Sequence, residues 1–230
     1  GGISSFFTSN EKIETDGKIL WFKPIGVVVD SSIDSTPSFD ALVIGGTTVK
    51  QHELGDLIKV LNSAAKDENL SAVYLNVSEL GMYYSSAFEI ANAVKNIRDS
   101  GKEVIAYAET YGNTSYLISS QASKVMINEY GMVNAVGFSR KREFYKDLYE
   151  NINLNFNIFV AGDFKSGPEP FTRNSMSDED KLAWNDFANP LWLKMTSMME
   201  SGRDLPIGTM QKYGDTCLLY TSDAADESVC

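Results

Sequence analysis

The sequence predicts an α/β fold with a mostly parallel sheet, and three observations predict it. Short apolar runs such as Ala72–Val77 and Glu103–Ala108 have the length and composition of strands buried on both faces. Between them lie longer segments whose apolar residues recur at helical spacing. Turn-forming Ser, Gly and Asp residues separate the two kinds of segment. Strand and helix in alternation define right-handed βαβ units, which place their strands parallel in one sheet.

The elements follow in order. Lys18–Asp30 reads as a strand, with Pro24 marking an edge or bulge. Residues 31–46 are rich in Ser, Asp, Thr, Pro and Gly and read as a loop. Leu54, Leu57, Ile58, Leu61 and Ala64-Ala65 form a helical stripe, and Ala72–Val77 is the next strand. Ser85–Arg98 is a second helix, stopped by Ser100-Gly101. Glu103–Ala108 is a strand, Asn113–Ser123 a helix, Lys124–Asn128 a strand and Phe138–Glu150 another helix. Alternation of Leu154, Phe156, Ile158 and Val160 with asparagines and Phe159 predicts a half-exposed strand. Ser177-Asp178-Glu179-Asp180 is close to a capping box and opens a long helix that Pro190 should kink or split.

Composition narrows the function. A chain of 230 residues with 43% apolar and 22% charged residues can bury a proper core. Its net charge of −11 argues against nucleic acid as a partner. His52 is the only histidine, read as a solvated residue near a helix start, and Cys217 and Cys230 are the only cysteines. Serine or cysteine triads centred on His52, and zinc sites built on thiolates and imidazoles, are therefore excluded within the chain. No cofactor and no metal is expected. Walker-A, dinucleotide and nucleophile-elbow motifs are absent. No stretch reaches the roughly 18 to 20 apolar residues of a membrane span.

Residues 161–171, Ala-Gly-Asp-Phe-Lys-Ser-Gly-Pro-Glu-Pro-Phe, carry the chemistry. Lys165 lies between a strand candidate and a helix, beside Phe164 and the turn Ser166-Gly167-Pro168. Apolar surroundings of that kind strip water from an ammonium group, and a neutral lysine is a competent general base. Trp184, Phe187 and Trp192 are read as core or interface residues.

Three blocks resemble the signal peptide peptidase A (protease IV) family, in the N-terminal domain of its long form. The first is Asp99–Tyr107. The second is Ser115–Val125, followed by Gly131-Met132-Val133 and Val136-Gly137-Phe138. The third and most specific is Gly162–Phe171, with Arg173, Met176-Ser177 and Leu191-Trp192 behind it. The resemblance extends over roughly residues 18–213. It implies a ClpP/crotonase-like fold and a bacterial serine protease using a Ser/Lys dyad. Lys165 takes the place of the lysine base, and the serine nucleophile belongs to a separate C-terminal domain. Asn113 stands about where that second domain carries its nucleophile, and an amide does not attack a peptide carbonyl. Gly81 falls near the family's oxyanion loop, but Met82-Tyr83-Tyr84 departs from that pattern and no donor role is assigned.

On this reading residues 1–17 are a linker downstream of a missing membrane anchor, and 18–216 form the protease-family domain. Residues 217–227, Cys-Leu-Leu-Tyr-Thr-Ser-Asp-Ala-Ala-Asp-Glu, resemble a translated sequencing adapter, so 217–230 are expected to be an unpacked, adapter-derived tail. The expected partners are the missing C-terminal domain, sibling protomers of a homo-oligomer, and apolar peptides such as cleaved signal peptides. The expected location is the bacterial inner membrane, with the domain on the periplasmic side. Two other readings stay open: a non-catalytic scaffold for oligomerisation, and a crotonase-like acyl-CoA enzyme.

Overall fold

Parallel strands need a crossover between them, and the helices predicted from sequence supply it. The computed structural model describes residues 17–31, 49–159, 161–162, 164–216 and 219–220. The chain divides into two compact units, one of residues 1–136 with 196–230 and one of residues 137–195.

The first unit holds both sheets. In the larger, β1 (Lys18–Phe22), β4 (Leu70–Leu75), β6 (Glu103–Gly112) and β7 (Lys124–Asn134) run parallel in that order. In the smaller, β2 (Gly26–Val29) lies between β3 (Gln51–Glu53) and β5 (Leu80–Gly81), again parallel. Alternation sets the core face: Leu20 and Phe22 of β1 are buried while Ile19 and Trp21 face outward. Trp21 stacks on Tyr74, its register partner on β4, with ring centroids 4.0 Å apart. On the core face Val73, Leu75, Val104, Ala106 and Ala108 are sealed.

Helices α1 (Leu54–Lys66) and α2 (Tyr84–Asp99) pack on each other. Leu57, Leu61 and Ala64 form the buried stripe of α1, at the i, i+4, i+7 spacing of one helix face. Ala87, Ile90, Ala91, Val94 and Ile97 do the same for α2. Helix α2 stops where expected: Ser100 Oγ donates to Ile97 O at 2.7 Å, and Gly101 takes a φ of +88°. A residue with a Cβ is strained in that left-handed conformation, so glycine terminates the helix at little cost.

Several sequence expectations are revised. The single strand over 18–30 is two, β1 and β2, in different sheets, because Lys23-Pro24-Ile25 interrupts the ladder. His52 is not a solvated residue. It sits half-buried in β3 and donates from Nε2 to Ile25 O at 3.0 Å. Strand β7 runs on to Asn134, with its register against β6 shifting between Ala108 and Thr110. The loop expected over 31–46 lies almost wholly outside the described residues.

In the second unit, the helix expected over 138–150 shrinks to α4 (Lys146–Asn151), and the strand expected at 153–160 is absent over 153–159. Alternation was misleading there. Asn153 adopts a φ of +54°, and Leu154 and Phe156 stay partly exposed. Pro190 does not split α6 (Asp178–Gly202), which is continuous through it. The tail expected to stay unpacked contributes one short strand, β8 (Leu219–Tyr220), antiparallel to β7 at Val133 and Met132. Residues 217, 218 and 221–230 lie outside the described residues.

Two glycines make opposite predictions. A Cβ on Gly131 of β7 would lie 2.2 Å from the Glu109 carbonyl oxygen, a backbone atom that cannot move aside cheaply. Gly55, in the first turn of α1, has nothing within 4 Å of that position. Urea denaturation should show Gly131→Ala destabilising by about 1–3 kcal/mol. Gly55→Ala should be neutral or stabilising by up to about 1 kcal/mol.

Candidate active site

Two places carry the residues singled out in the sequence, and each belongs to a different unit. In the first, β6 passes without a loop into α3 (Asn113–Ser119). Ser115 Oγ accepts the Gly112 N–H at 2.9 Å, which braces the turn from strand to helix. Tyr111, sealed beneath it, donates to Met126 O at 2.9 Å, and burial pushes its phenol well above the ordinary value. The turn is therefore rigid, and Asn113 is the first residue of the helix. Its Oδ1 is buried and accepts no hydrogen bond among the described residues. The side chain at this position is an amide, which does not attack a peptide carbonyl.

Lys165 lies in the second unit, between Gly162, whose φ is +96°, and the short helix α5 (Glu169–Thr172). The sequence reading expected Phe164 and the following turn to desolvate its ammonium. Instead Lys165 is exposed and Phe164 is 60% exposed. The Phe164 ring faces outward, and the turn fixes backbone without covering the side chain. Among the described residues none pairs with Lys165.

The backbone around that lysine is firmly held. Arg142 donates from Nη2 to the Ser166 carbonyl at 2.6 Å and from Nη1 to Asp180 Oδ2 at 2.7 Å. Arg140 donates to the same Asp180 oxygen and lies over the Trp184 ring, 5.3 Å from its centroid. Asp180 is almost fully buried. Burial alone would raise its pKa, but hydrogen bonds from Arg140, Ser166 and Arg142 outweigh it and hold the carboxyl below its ordinary 3.8. The positive end of α6 favours the same charge state.

The capping box foreseen at Ser177 is half present. Ser177 Oγ accepts the Asp180 N–H at 3.1 Å, as an N-cap should. The reciprocal arm comes from Glu169 of α5, whose carboxylate accepts both the Ser177 N–H, at 3.2 Å, and the Ser177 hydroxyl. Asp180 is thereby released to hold the arginines. The sequence reading missed Arg140, Arg142 and Glu169. Only the capping pattern around Asp180 pointed this way, because its partners lie 38 and 40 residues upstream.

Other features remain modest. Gly81 pairs with Val27 in the small sheet. Trp192 is buried against Phe138, whereas Phe187 is 61% exposed. Among the described residues, no three His, Cys, Asp or Glu side chains are grouped to hold a metal ion, and no helix is long and apolar enough to cross a membrane.

Residues 96–229, more than half of the chain, match peptidase family S49. The chain belongs to that family of proteases. It is 28% identical over 158 residues to Protease 4 of Salmonella typhi, covering 68% of this chain and 26% of that protein. To Protease 4 of Haemophilus influenzae it is 27% identical over 151 residues, covering 65% of this chain and 25% of the relative. The chloroplastic serine protease SPPA of Arabidopsis thaliana is 22% identical over 117 residues, 51% of this chain and 17% of that protein. The chain thus spans about a quarter of the length of its bacterial relatives. Among solved structures, an enoyl-CoA hydratase/isomerase from Marinobacter aquaeolei aligns with 69% of this chain and 76% of its own, at 9% identity and a TM-score of 0.27. Family membership and the parallel α/β sheets bear out the signal peptide peptidase A resemblance and the ClpP/crotonase-like fold class.

The lowered Asp180 pKa has a signed consequence. Its ionised form stabilises the fold above pH 3.8, and that contribution is lost as pH falls through the lower folded value. The stability difference between wild type and Asp180→Asn should therefore be constant above about pH 5 and shrink below 3.8. Paired thermal melts from pH 7 to 2.5 measure it. A difference that shrank already between pH 7 and 5 would show that Asp180 is not held ionised.

Proposed function

We propose that this chain supplies the lysine general base of a Ser/Lys endopeptidase, and that the serine nucleophile comes from a segment outside these 230 residues. One observation carries the reading. Lys165 stands exposed on a backbone clamped by Arg142, while Asn113 fills the strand-to-helix turn suited to a nucleophile. The base is presented outward, and the chain offers no nucleophile at the matching turn. Desolvation of Lys165, which its own loop does not provide, is then a task for the segment that docks over it.

In this mechanism neutral Lys165 takes the proton of the incoming serine as its oxygen attacks the scissile carbonyl. The ammonium then returns that proton to the leaving amine, and water resolves the acyl-enzyme by the same route. Family membership and similarity to proteins named Protease 4 support the reading. We extend it to an extended apolar peptide substrate, such as a cleaved signal peptide. We place the complete protein as a homo-oligomer anchored in a bacterial inner membrane, with this region on the periplasmic side.

Two outcomes test it. Incubated alone with apolar peptides, the 230-residue chain should cleave no faster than buffer, and a single labelled serine in an activity-probe experiment would contradict the reading. In the longer protein joined to its serine-bearing segment, Lys165→Met should lower kcat at least about 100-fold while leaving assembly intact. Lys165→Arg should fail too, because a guanidinium stays protonated. Near-wild-type turnover in both variants would remove Lys165 from the mechanism.

A further inference from the structure

We infer that Arg142 is the positioning residue for Lys165, with Asp180 as its anchor, an inference that rests on the base role proposed above. The observations are geometric. A base must come within about 2.6–3.2 Å of the proton it removes. Lys165 has no described side-chain partner to aim it, and its neighbour Phe164 is turned to solvent. Its placement therefore depends on the backbone that carries it.

That backbone is fixed from two directions at the next residue. The Ser166 carbonyl accepts from Arg142 Nη2 at 2.6 Å and from the Glu169 N–H at 3.1 Å. Gly167 O lies 3.5 Å from the same Arg142 nitrogen. The plane of the Ser166–Gly167 peptide is consequently set by an arginine fork on one side and by the first turn of α5 on the other. Glycine and serine would otherwise leave this stretch free to rotate.

Arg142 is itself held. Its side chain is 19% exposed, and its second nitrogen is bound to Asp180, whose side chain is 2% exposed. Arg140 donates to the same carboxylate. Asp180 in turn is fixed at the third position of α6, where its N–H meets Ser177 Oγ. A continuous path of charge-assisted bonds runs from a helix terminus to the peptide beside the lysine. A planar fork makes both contacts at once from two separate nitrogens, whereas an ammonium at position 142 would have to make both from one.

The test uses the longer protein with its serine-bearing segment and compares Arg142→Met, Arg142→Lys and Lys165→Met by kcat, KM and thermal melting. Arg142→Met should lower kcat about 10- to 100-fold, since a misplacement near 1 Å costs on that order, with KM within about twofold. Arg142→Lys should recover part of that loss. If Arg142→Met does not fold, Arg142→Lys alone decides, with a several-fold loss confined to kcat. Unchanged kcat in the folded variants, or a loss appearing equally in KM, would overturn the inference while Lys165→Met still abolishes turnover. Activity retained in Lys165→Met would instead overturn the base role and this inference with it.

Discussion

The Lys165 loop depends on one buried carboxylate. The second unit has no sheet among its described residues, so backbone ladders do not order the stretch between α4 and α6. Asp180 does that work, accepting from Arg140 and Arg142 at the start of α6. A carboxylate so enclosed is costly to bury unless it is paired, and two guanidiniums compensate it here. The same cost makes the arrangement specific. Only a backbone path that brings residues 140 and 142 to the helix terminus satisfies it.

The first unit reaches rigidity by different means. Its parallel strands are locked by sealed aliphatic residues, and its helices by complementary stripes. The last turns of α6 join it through polar contacts of long sequence range. Gln121 Nε2 donates to Met198 O at 2.8 Å, and Arg203 donates to Ala122 O at 3.0 Å. Gly202 permits the approach, because a Cβ there would fall 2.5 Å from Ser120 O. The strand-to-helix turn at Asn113 is therefore set in a frame with little room to deform.

Membership in peptidase family S49 gives these two arrangements a common sense. In the function proposed above, one segment presents the base and another supplies the nucleophile. Asn113 heads the strand-to-helix turn in the first unit, and Lys165 lies on the braced loop in the second. On that proposal, the bracing beside Lys165 aims a base toward a nucleophile carried by another segment. Asn113 Oδ1 is buried and accepts no hydrogen bond among the described residues.

The sequence by itself determined the alternating α/β order, the stripes of α1 and α2, the Gly101 stop and the Ser177 cap. Each of these is encoded within a few neighbouring residues, by periodicity or by a single conformational need. The family was legible through the motif around Lys165. Tertiary structure alone decided that Lys18–Asp30 breaks into strands of two sheets, since pairing partners lie far along the chain. It also decided that Leu154–Phe159 is no strand despite its alternation, because a period of two has no meaning without a neighbouring strand to bond. Above all, it decided how Lys165 is held. Arg142 and Asp180 are 38 residues apart, and only the folded chain brings a guanidinium between that carboxylate and the Ser166 carbonyl.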